Sequence, residues 1–522
     1  MSALLSSDDL NDFITPGVAC IKTVDENGGG SDRPQQQVEI EIDGTGQAIE
    51  VTKEGSATRL QKASISLADC LACSGCITSA EEVLVAQHSH KEFLNALKEH
   101  RDDKLFVASI SHQTRASLAA ALSISVEDTD RILIKLLVDK LGFSKVVGTG
   151  LGRKISLRQM SKGVISERFG DEFERPKLSS TCPGWVMYVE KTHPFLLPHM
   201  DRAKSPQQIT GLLLKRLAAR EYGVKPDQIY HLSIMPCFDK KLEAARTESD
   251  SQVDVDCVIT PRELVQLLED ERIDVEALLS EAREDPKLWD MSNVYECLAP
   301  RNWLKPIDSW LNDEGSASGG YAFHYLKELA NHYVTKLGVN EEFLKIQLIQ
   351  GRNSDIYELE LVNTESSESL GKSAVINGFR NIQNMVRKIK QPGKKVLGNA
   401  RGRIANRRRQ RETGKKDSVG TSVDPQKCDL IEVMACPDGC INGGGQISGP
   451  SNHISSKEWV NRVLKAYESI PLGTSIDSEE LEQWVTKWLD EFTVCDSRLL
   501  KTRFRNIEPP KDTTTIALTS TW

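Results

Sequence analysis

Eight of the twelve cysteines fall into spacings that suit iron and sulfide. Three stand in "ADCLACSGCIT" as Cys70, Cys73 and Cys76, a C-x2-C-x2-C run. Two-residue spacings let successive thiolates of one tight loop take several corners of an iron–sulfur cube. A structural zinc site more often shows paired C-x2-C hooks, so three thiolates in one short loop favour iron and sulfide. Ile77, Thr78, Ser79 and Ala80 follow where a bacterial ferredoxin run would bring a fourth cysteine and a proline. The fourth ligand must therefore come from elsewhere, and Cys20 in "PGVACIK" is the only other cysteine before Cys182.

The second group is dispersed: Cys182 in "SSTCPGWV", Cys237 in "SIMPCFDKKLE", and Cys436 with Cys440 in "EVMACPDGC". Proline marks the first two as strand-to-loop transitions, where a side chain can be presented rather than buried. Taken singly, Cys182 and Cys237 read as core residues; taken with the C-x3-C pair, four thiolates from three loops make a second cube a candidate. Gly443, Gly444 and Gly445 follow directly. Without side chains they would let the backbone pass close to an inorganic cluster and turn amides toward its sulfides.

These segments carry a resemblance. "TCPGW", "MPCFDKKLE" and "EVMACPDGCINGGGQ" resemble the three cluster-binding motifs of iron-only hydrogenases, in the same order. Nearly the whole chain resembles the hydrogenase-like branch that works in cytosolic iron–sulfur assembly and includes the nuclear prelamin A recognition factor-like proteins. The resemblance implies two [4Fe-4S] clusters, one held by Cys20, Cys70, Cys73 and Cys76, the other by Cys182, Cys237, Cys436 and Cys440 between two lobes. In hydrogenases the counterpart of Cys440 also bridges to a di-iron subsite. A proton-relaying cysteine stands there directly before the first-motif ligand, and here that position is Thr181. A threonine hydroxyl does not titrate in the useful range, which impairs such a relay. Lys240 and Glu243 match the second hydrogenase motif.

The elements that must position these cysteines are legible in outline. "QQQVEIEIDGTGQAIEVT" alternates as a hairpin, and "HKEFLNALKEH" sets Phe93, Leu94 and Leu97 on one helical face. "KLFVASIS", "KVVGTG" and "DVDCVIT" read as buried strands between helices such as "DRILIKLLVDKLG", which argues for mostly parallel sheets with covering helices. The expected fold class is α/β: two hydrogenase-like lobes behind a small ferredoxin-like iron–sulfur domain. The expected domains are 1–100, 101–250, 251–455 with a basic insertion near 387–416, a helical wrap over 456–505 and a tail over 506–522. "KEWVNRVLKAY" and "LEQWVTKWLDEF" supply the wrap's apolar stripes. Cys257, Cys297, Cys428 and Cys495 read as core, and His88 and His90 as solvated. "GTGLGR" lacks the dinucleotide-binding spacing.

Composition narrows the function. The net charge is −9, with 27% charged and 39% hydrophobic residues, so no global bias toward nucleic acid or an anionic membrane exists. The start "MSALLSSDDLNDFITPG" has no basic n-region, and no window offers about 18 uninterrupted apolar residues. A cytosolic or nuclear location without membrane contact is expected, and there thiols stay reduced. The run from Arg387 to Lys416 is densely basic but has no interleaved aromatics for base stacking, so it is read as a solvated insertion and no nucleic-acid partner is expected. A terminal indole beside a free carboxylate, as at Trp522, suits docking in an apolar pocket. The resemblance implies an assembly factor linking upstream scaffold proteins to the cytosolic targeting complex, including its WD40-propeller protein, and not an enzyme. The rival expectation is a hydrogenase-type redox enzyme with a di-iron subsite.

Overall fold

The computed structural model describes residues 38–42, 48–52, 57–59, 87–170, 173–246, 253–390, 423–450, 454–473, 476, 478–491 and 497–507. Cys20, Cys70, Cys73, Cys76, Cys495, Trp522 and the basic run beyond residue 390 lie outside them. The chain divides into two units, Met1–Glu82 and Val83–Trp522. In the first, β1 (Val38–Ile42), β2 (Ala48–Thr52) and β3 (Ala57–Arg59) form an antiparallel sheet; β1 and β2 make the hairpin the alternating pattern predicts, in a register that sets Ile40 opposite Glu50.

The second unit begins with α1 (His90–Glu99), β4 (Leu105–Ile110), α2 (His112–Leu122), α3 (Val126–Ile134), β5 (Lys145–Gly148) and α4 (Gly150–Arg168). It continues with β6 (Lys177–Leu178), α5 (Pro183–Thr192), α6 (Pro206–Tyr222), β7 (Ile229–Ile234), α7 (Asp239–Ala244), β8 (Cys257–Ile259) and α8 (Pro261–Asp270). Then come α9 (Val275–Glu284), α10 (Met291–Leu298), α11 (Tyr321–Leu337), β9 (Leu344–Asn353), β10 (Ile356–Asn363), β11 (Glu368–Asn377) and α12 (Phe379–Lys390). The described elements close with β12 (Leu430–Met434), α13 (Ser456–Glu468) and α14 (Ser478–Glu491).

Two sheets organise this unit. One is wholly parallel in the order β5-β4-β7-β8. Its strands are near-continuous apolar runs because helices cover both faces. Phe93, Leu133, Leu264 and Leu278 pack on one face, and Ile155, Leu213, Val485 and Trp488 on the other. The second sheet runs β6-β12-β11-β10-β9, parallel at β6-β12-β11 and antiparallel from β11 to β9. The lobes thus interleave in sequence, β6 crossing to the second sheet.

Helix α4 serves both cores. Leu151 and Ile155 pack against the first sheet's cluster, Leu157, Met160 and Val164 against the second's. Close packing explains the glycines of the "GTGLGR" stretch: a Cβ at Gly148, the end of β5, would meet the Ser309 carbonyl oxygen at 2.0 Å, and one at Gly152 in α4 the Thr210 hydroxyl at 2.2 Å. The helical wrap packs as its stripes predict, with Trp459, Val460 and Val463 against α2 and Leu481, Val485 and Trp488 against the first sheet's core.

Two expectations are corrected. His88 and His90 are buried rather than solvated: His88 Nδ1 accepts from the Val258 amide at 3.2 Å, and His90 Nε2 lies 3.0 Å from Asp270 Oδ2. Burial lowers the His88 pKa to about 4. Cys297 is exposed, because Met291, Val294 and Tyr295 turn the buried stripe of α10 to another side. Cys257 and Cys428 are buried as expected. Among the described residues no helix is long and apolar enough to cross a membrane.

Candidate metal centre

Three strands of the two sheets deliver the dispersed cysteines at their carboxyl ends, where open α/β sheets place their ligands. Beyond β6 the chain reaches Thr181 and Cys182, which stands at the N-cap of α5 with Pro183 behind it. Beyond β7 it reaches Met235, Pro236 and Cys237, pinned by the Met235 amide to the Ile259 carbonyl at 2.9 Å. Beyond β12 a tight turn carries Cys436 and Cys440; Asp438 and Gly439 adopt φ of 58° and 75°. A side chain at Gly439 would be strained, and its Cβ would meet the Ser318 hydroxyl at 2.1 Å. Cys182, Cys237, Cys436 and Cys440 all line one cavity.

Donor chemistry and geometry fit a cluster. Four thiols are soft ligands that suit iron–sulfur or zinc. Among the described residues no three His, Cys, Asp or Glu side chains converge as ligands of a single ion. A ring of thiols around a cavity matches a cube, which takes one thiolate at each corner. Burial raises all four thiol pKa values, that of Cys440 to about 12; mutual repulsion and Asp239 add to the rise at Cys237 and Cys436. Thiolates so placed need the positive charge of iron, so metal binding and ionisation are coupled.

Hydrogen bonds point at the sulfurs. The Ala435 amide donates to Cys182 Sγ at 3.4 Å, and the Gly444 amide to Cys436. The Ser318 hydroxyl serves Cys440, accepting from its amide at 2.9 Å. Gly443 lines the cavity, but its bareness answers a neighbour: a Cβ there would meet the Pro236 carbonyl oxygen at 2.5 Å. At Gly445 a Cβ would meet Thr260 Cγ2 at 2.4 Å, whereas at Gly444 the nearest atom, on Phe238, is 3.8 Å away.

Lys240 and Glu243 form a closed buried network beside the cysteines. Lys240 Nζ donates to the Thr181 carbonyl at 3.0 Å and to Glu243 Oε2 at 3.0 Å. Glu243 Oε2 also accepts from Ser205 Oγ at 2.8 Å and Gln207 Nε2 at 3.0 Å. Removing one member would leave a buried charge uncompensated.

Sequence reasoning missed Glu432, Ser318 and Asp239. Glu432 is wholly buried on β12 and accepts from the Ala322 amide at 2.9 Å, the Gly320 amide at 3.3 Å and the Ser316 hydroxyl. It thereby ties down the loop that brings Ser318 to Cys440. Its signal was present in "LIEVM", a carboxylate in an otherwise apolar central strand. Asp239 packs against Gly184, where a Cβ would lie 2.6 Å from its Oδ2 and force it to shift.

Residues 104–444 match the family described as the C-terminal domain of the iron only hydrogenase large subunit. The chain is 48% identical over its full length and that of the cytosolic Fe-S cluster assembly factor NAR1 of Debaryomyces hansenii, and 50% identical to that of Meyerozyma guilliermondii with the same full coverage. Among solved structures, a variant of the apo [FeFe]-hydrogenase HydA1 from Chlamydomonas reinhardtii superposes with a TM-score of 0.56 at 21% identity. That likeness covers 79% of this chain and 98% of the hydrogenase, and it shows the fold. With four cysteines gathered on a hydrogenase-like frame and relatives matching end to end, the chain belongs to the family of cytosolic Fe-S cluster assembly factors built on the iron-only hydrogenase fold.

Proposed function

We propose that the protein is a cytosolic iron–sulfur assembly factor carrying two [4Fe-4S] clusters, which links early cluster scaffolds to the late targeting complex for cytosolic and nuclear apoproteins. The observation that carries this reading is the ring of Cys182, Cys237, Cys436 and Cys440 around one cavity, in a chain similar end to end to named assembly factors. The ring would hold the first cube by its four thiolates, and Cys20, Cys70, Cys73 and Cys76 the second. Ala435 and Gly444 amides would stabilise the sulfur charge. The 1–100 segment would form the N-terminal cluster domain, and Trp522 would dock on the targeting complex through its WD40-propeller member.

Hydrogenase activity is not part of this reading. Thr181 cannot relay a proton at neutral pH, and its carbonyl is engaged by Lys240. The rival, a redox enzyme with a di-iron subsite, draws on one observation: the cavity extends past the cysteines to Thr181 and Gln207. An infrared spectrum of anaerobically purified protein, from cells able to build hydrogenase cofactors, separates the two. A spectrum silent in the region of iron-bound carbon monoxide and cyanide, from protein loaded with iron and sulfide, supports the assembly factor. Bands there would put the enzyme in its place.

A further inference from the structure

The last described stretch of the chain, 497–507, is a strap tied down in two places. Its first part hangs on the loop after β6: the Lys204 amide donates to the Leu500 carbonyl at 2.9 Å, and the Thr502 amide to the Arg202 carbonyl at 2.7 Å. Its second part is held by two side chains of other elements. Arg246 Nη2 donates to the Arg503 carbonyl at 3.0 Å, the Arg505 amide donates to Glu190 Oε1 at 2.8 Å, and the Ile507 amide to the Glu190 carbonyl at 3.1 Å. Between them Phe504 packs against the apolar core that contains Cys182 and Trp185.

The two residues of the second tie belong to the helices that follow the cysteine loops. Glu190 stands in the last turn of α5, whose N-cap is Cys182, and Arg246 just past the end of α7, which begins two residues after Cys237. They form a bidentate pair: Arg246 Nη1 donates to Glu190 Oε2 at 2.9 Å and Nη2 to Oε1 at 2.6 Å, with the Glu190 side chain only 3% exposed. The same two helices touch at their other ends, where a Cβ at Gly184 would lie 2.6 Å from Asp239 Oδ2. Joined front and back, α5 and α7 have one end at the ring of thiols and the other at the strap. Rigid elements packed in this way carry a displacement from one end to the other. The buried carboxylate makes the far end sensitive to it, because parting it from its guanidinium leaves charge uncompensated.

We propose that the Glu190–Arg246 clasp couples occupancy of the four-cysteine ring to the anchoring of residues 503–507. Holding Cys182 and Cys237 on one cube fixes the starts of α5 and α7, and with them the alignment of Glu190 and Arg246 that the strap requires. The coupling is reciprocal: a strap held in place slows loss of the cube, and an emptied ring loosens the strap. Residues that follow Ile507 then start from a fixed root when the ring is filled, so a partner that grips the chain end distinguishes loaded from empty protein. The inference rests on the cube proposed for the ring.

Amide hydrogen exchange, read by mass spectrometry with fragmentation to single residues, tests this on anaerobic full-length Cys73→Ala protein, in which the ring alone can hold a cube, before and after iron chelation. The expected result is exchange about tenfold faster at Arg505 and Ile507 in the chelated protein, while Thr502, tied to Arg202, and the β4 amides change by less than about twofold. In Glu190→Gln the loaded protein should already exchange fast at both positions, and chelation should add nothing. A stop after Phe504 should speed loss of iron to a chelator several-fold, and a stop after Ile507 should not. Exchange at Arg505 and Ile507 that is the same in loaded and chelated protein overturns the coupling, as do equal rates of iron loss from the two truncated chains; both outcomes leave the assembly reading standing. A ring that takes up no iron and sulfide overturns the two together. Should the chelated protein or Glu190→Gln lose its fold, seen as fast exchange throughout β4, the two truncations still decide, because both are measured from the loaded state.

Discussion

The two cysteine sets differ in how much fold they require. Cys70, Cys73 and Cys76 are a local run whose chemistry is written within seven consecutive residues. Cys182, Cys237, Cys436 and Cys440 are spread over about half of the chain and meet only because β6, β7 and β12 end at one cavity. A local run can lose a cysteine without disturbing its neighbours' folds. A dispersed set is a fastener between segments, so ligand and fold stand or fall together.

That contrast is open to breakage by substitution. Cys237→Ala should have the largest effect: iron content falls by about half, and the melting temperature drops by roughly 5–10 °C, as expected for a loss of several kcal/mol in a unit this large. Cys73→Ala should remove a similar amount of iron while the second unit melts within about 2 °C of wild type. Calorimetry with iron and sulfide analysis on both variants checks the pair. Equal melting shifts would erase the distinction.

Glu432→Gln sharpens it. The carboxylate holds Gly320, Ser316 and Ala322, so the substitution should cost about 1–3 kcal/mol in denaturant unfolding. It should also alter the electron paramagnetic resonance spectrum of the reduced cluster through Ser318 and Cys440. An unchanged spectrum would show that the loop does not need its anchor.

A pH effect belongs to the dispersed set as well. Asp201, whose amide bonds to the Leu178 carbonyl at 2.8 Å beside the strand leading to Cys182, has its pKa raised by burial to about 6. The folded state thus holds its proton more tightly than the unfolded chain. The associated stability is complete below about pH 4 and is lost as pH rises through about 6. Asp201→Asn should flatten that slope and stabilise the protein at pH 7.5 by about 1–2 kcal/mol, the full shift being trimmed by partial solvent access. Destabilisation at pH 7.5 would reverse the assignment. Deleting Trp522 should have the smallest effect on fold and iron, none measurable, while weakening capture of the targeting complex in a pull-down.

Much of the frame was legible because its signals are periodic. Phe93, Leu94 and Leu97 announced α1, and the apolar runs at β4, β5 and β8 announced a parallel sheet. Trp459 with Val463, and Leu481 with Trp488, declared two packing helices. What was not legible depends on tertiary neighbours. His88 is buried because β8 offers it an amide, and Cys297 is exposed because of which side of α10 meets the core. Gly443 and Gly445 suggested a cluster, yet the Pro236 carbonyl and Thr260 crowd them. Arg153 and Gln207 carried no signal at all, since burial of their unpaired atoms depends on tertiary packing.

The most direct measurement is Mössbauer spectroscopy of iron-57-labelled Cys73→Ala protein, purified anaerobically, in which only the dispersed set is intact. The account predicts one cluster, about four irons per chain, with quadrupole doublets of a [4Fe-4S] cube. Folded protein that retains no cube, or a cube accompanied by the low-spin iron of a di-iron subsite, would contradict it.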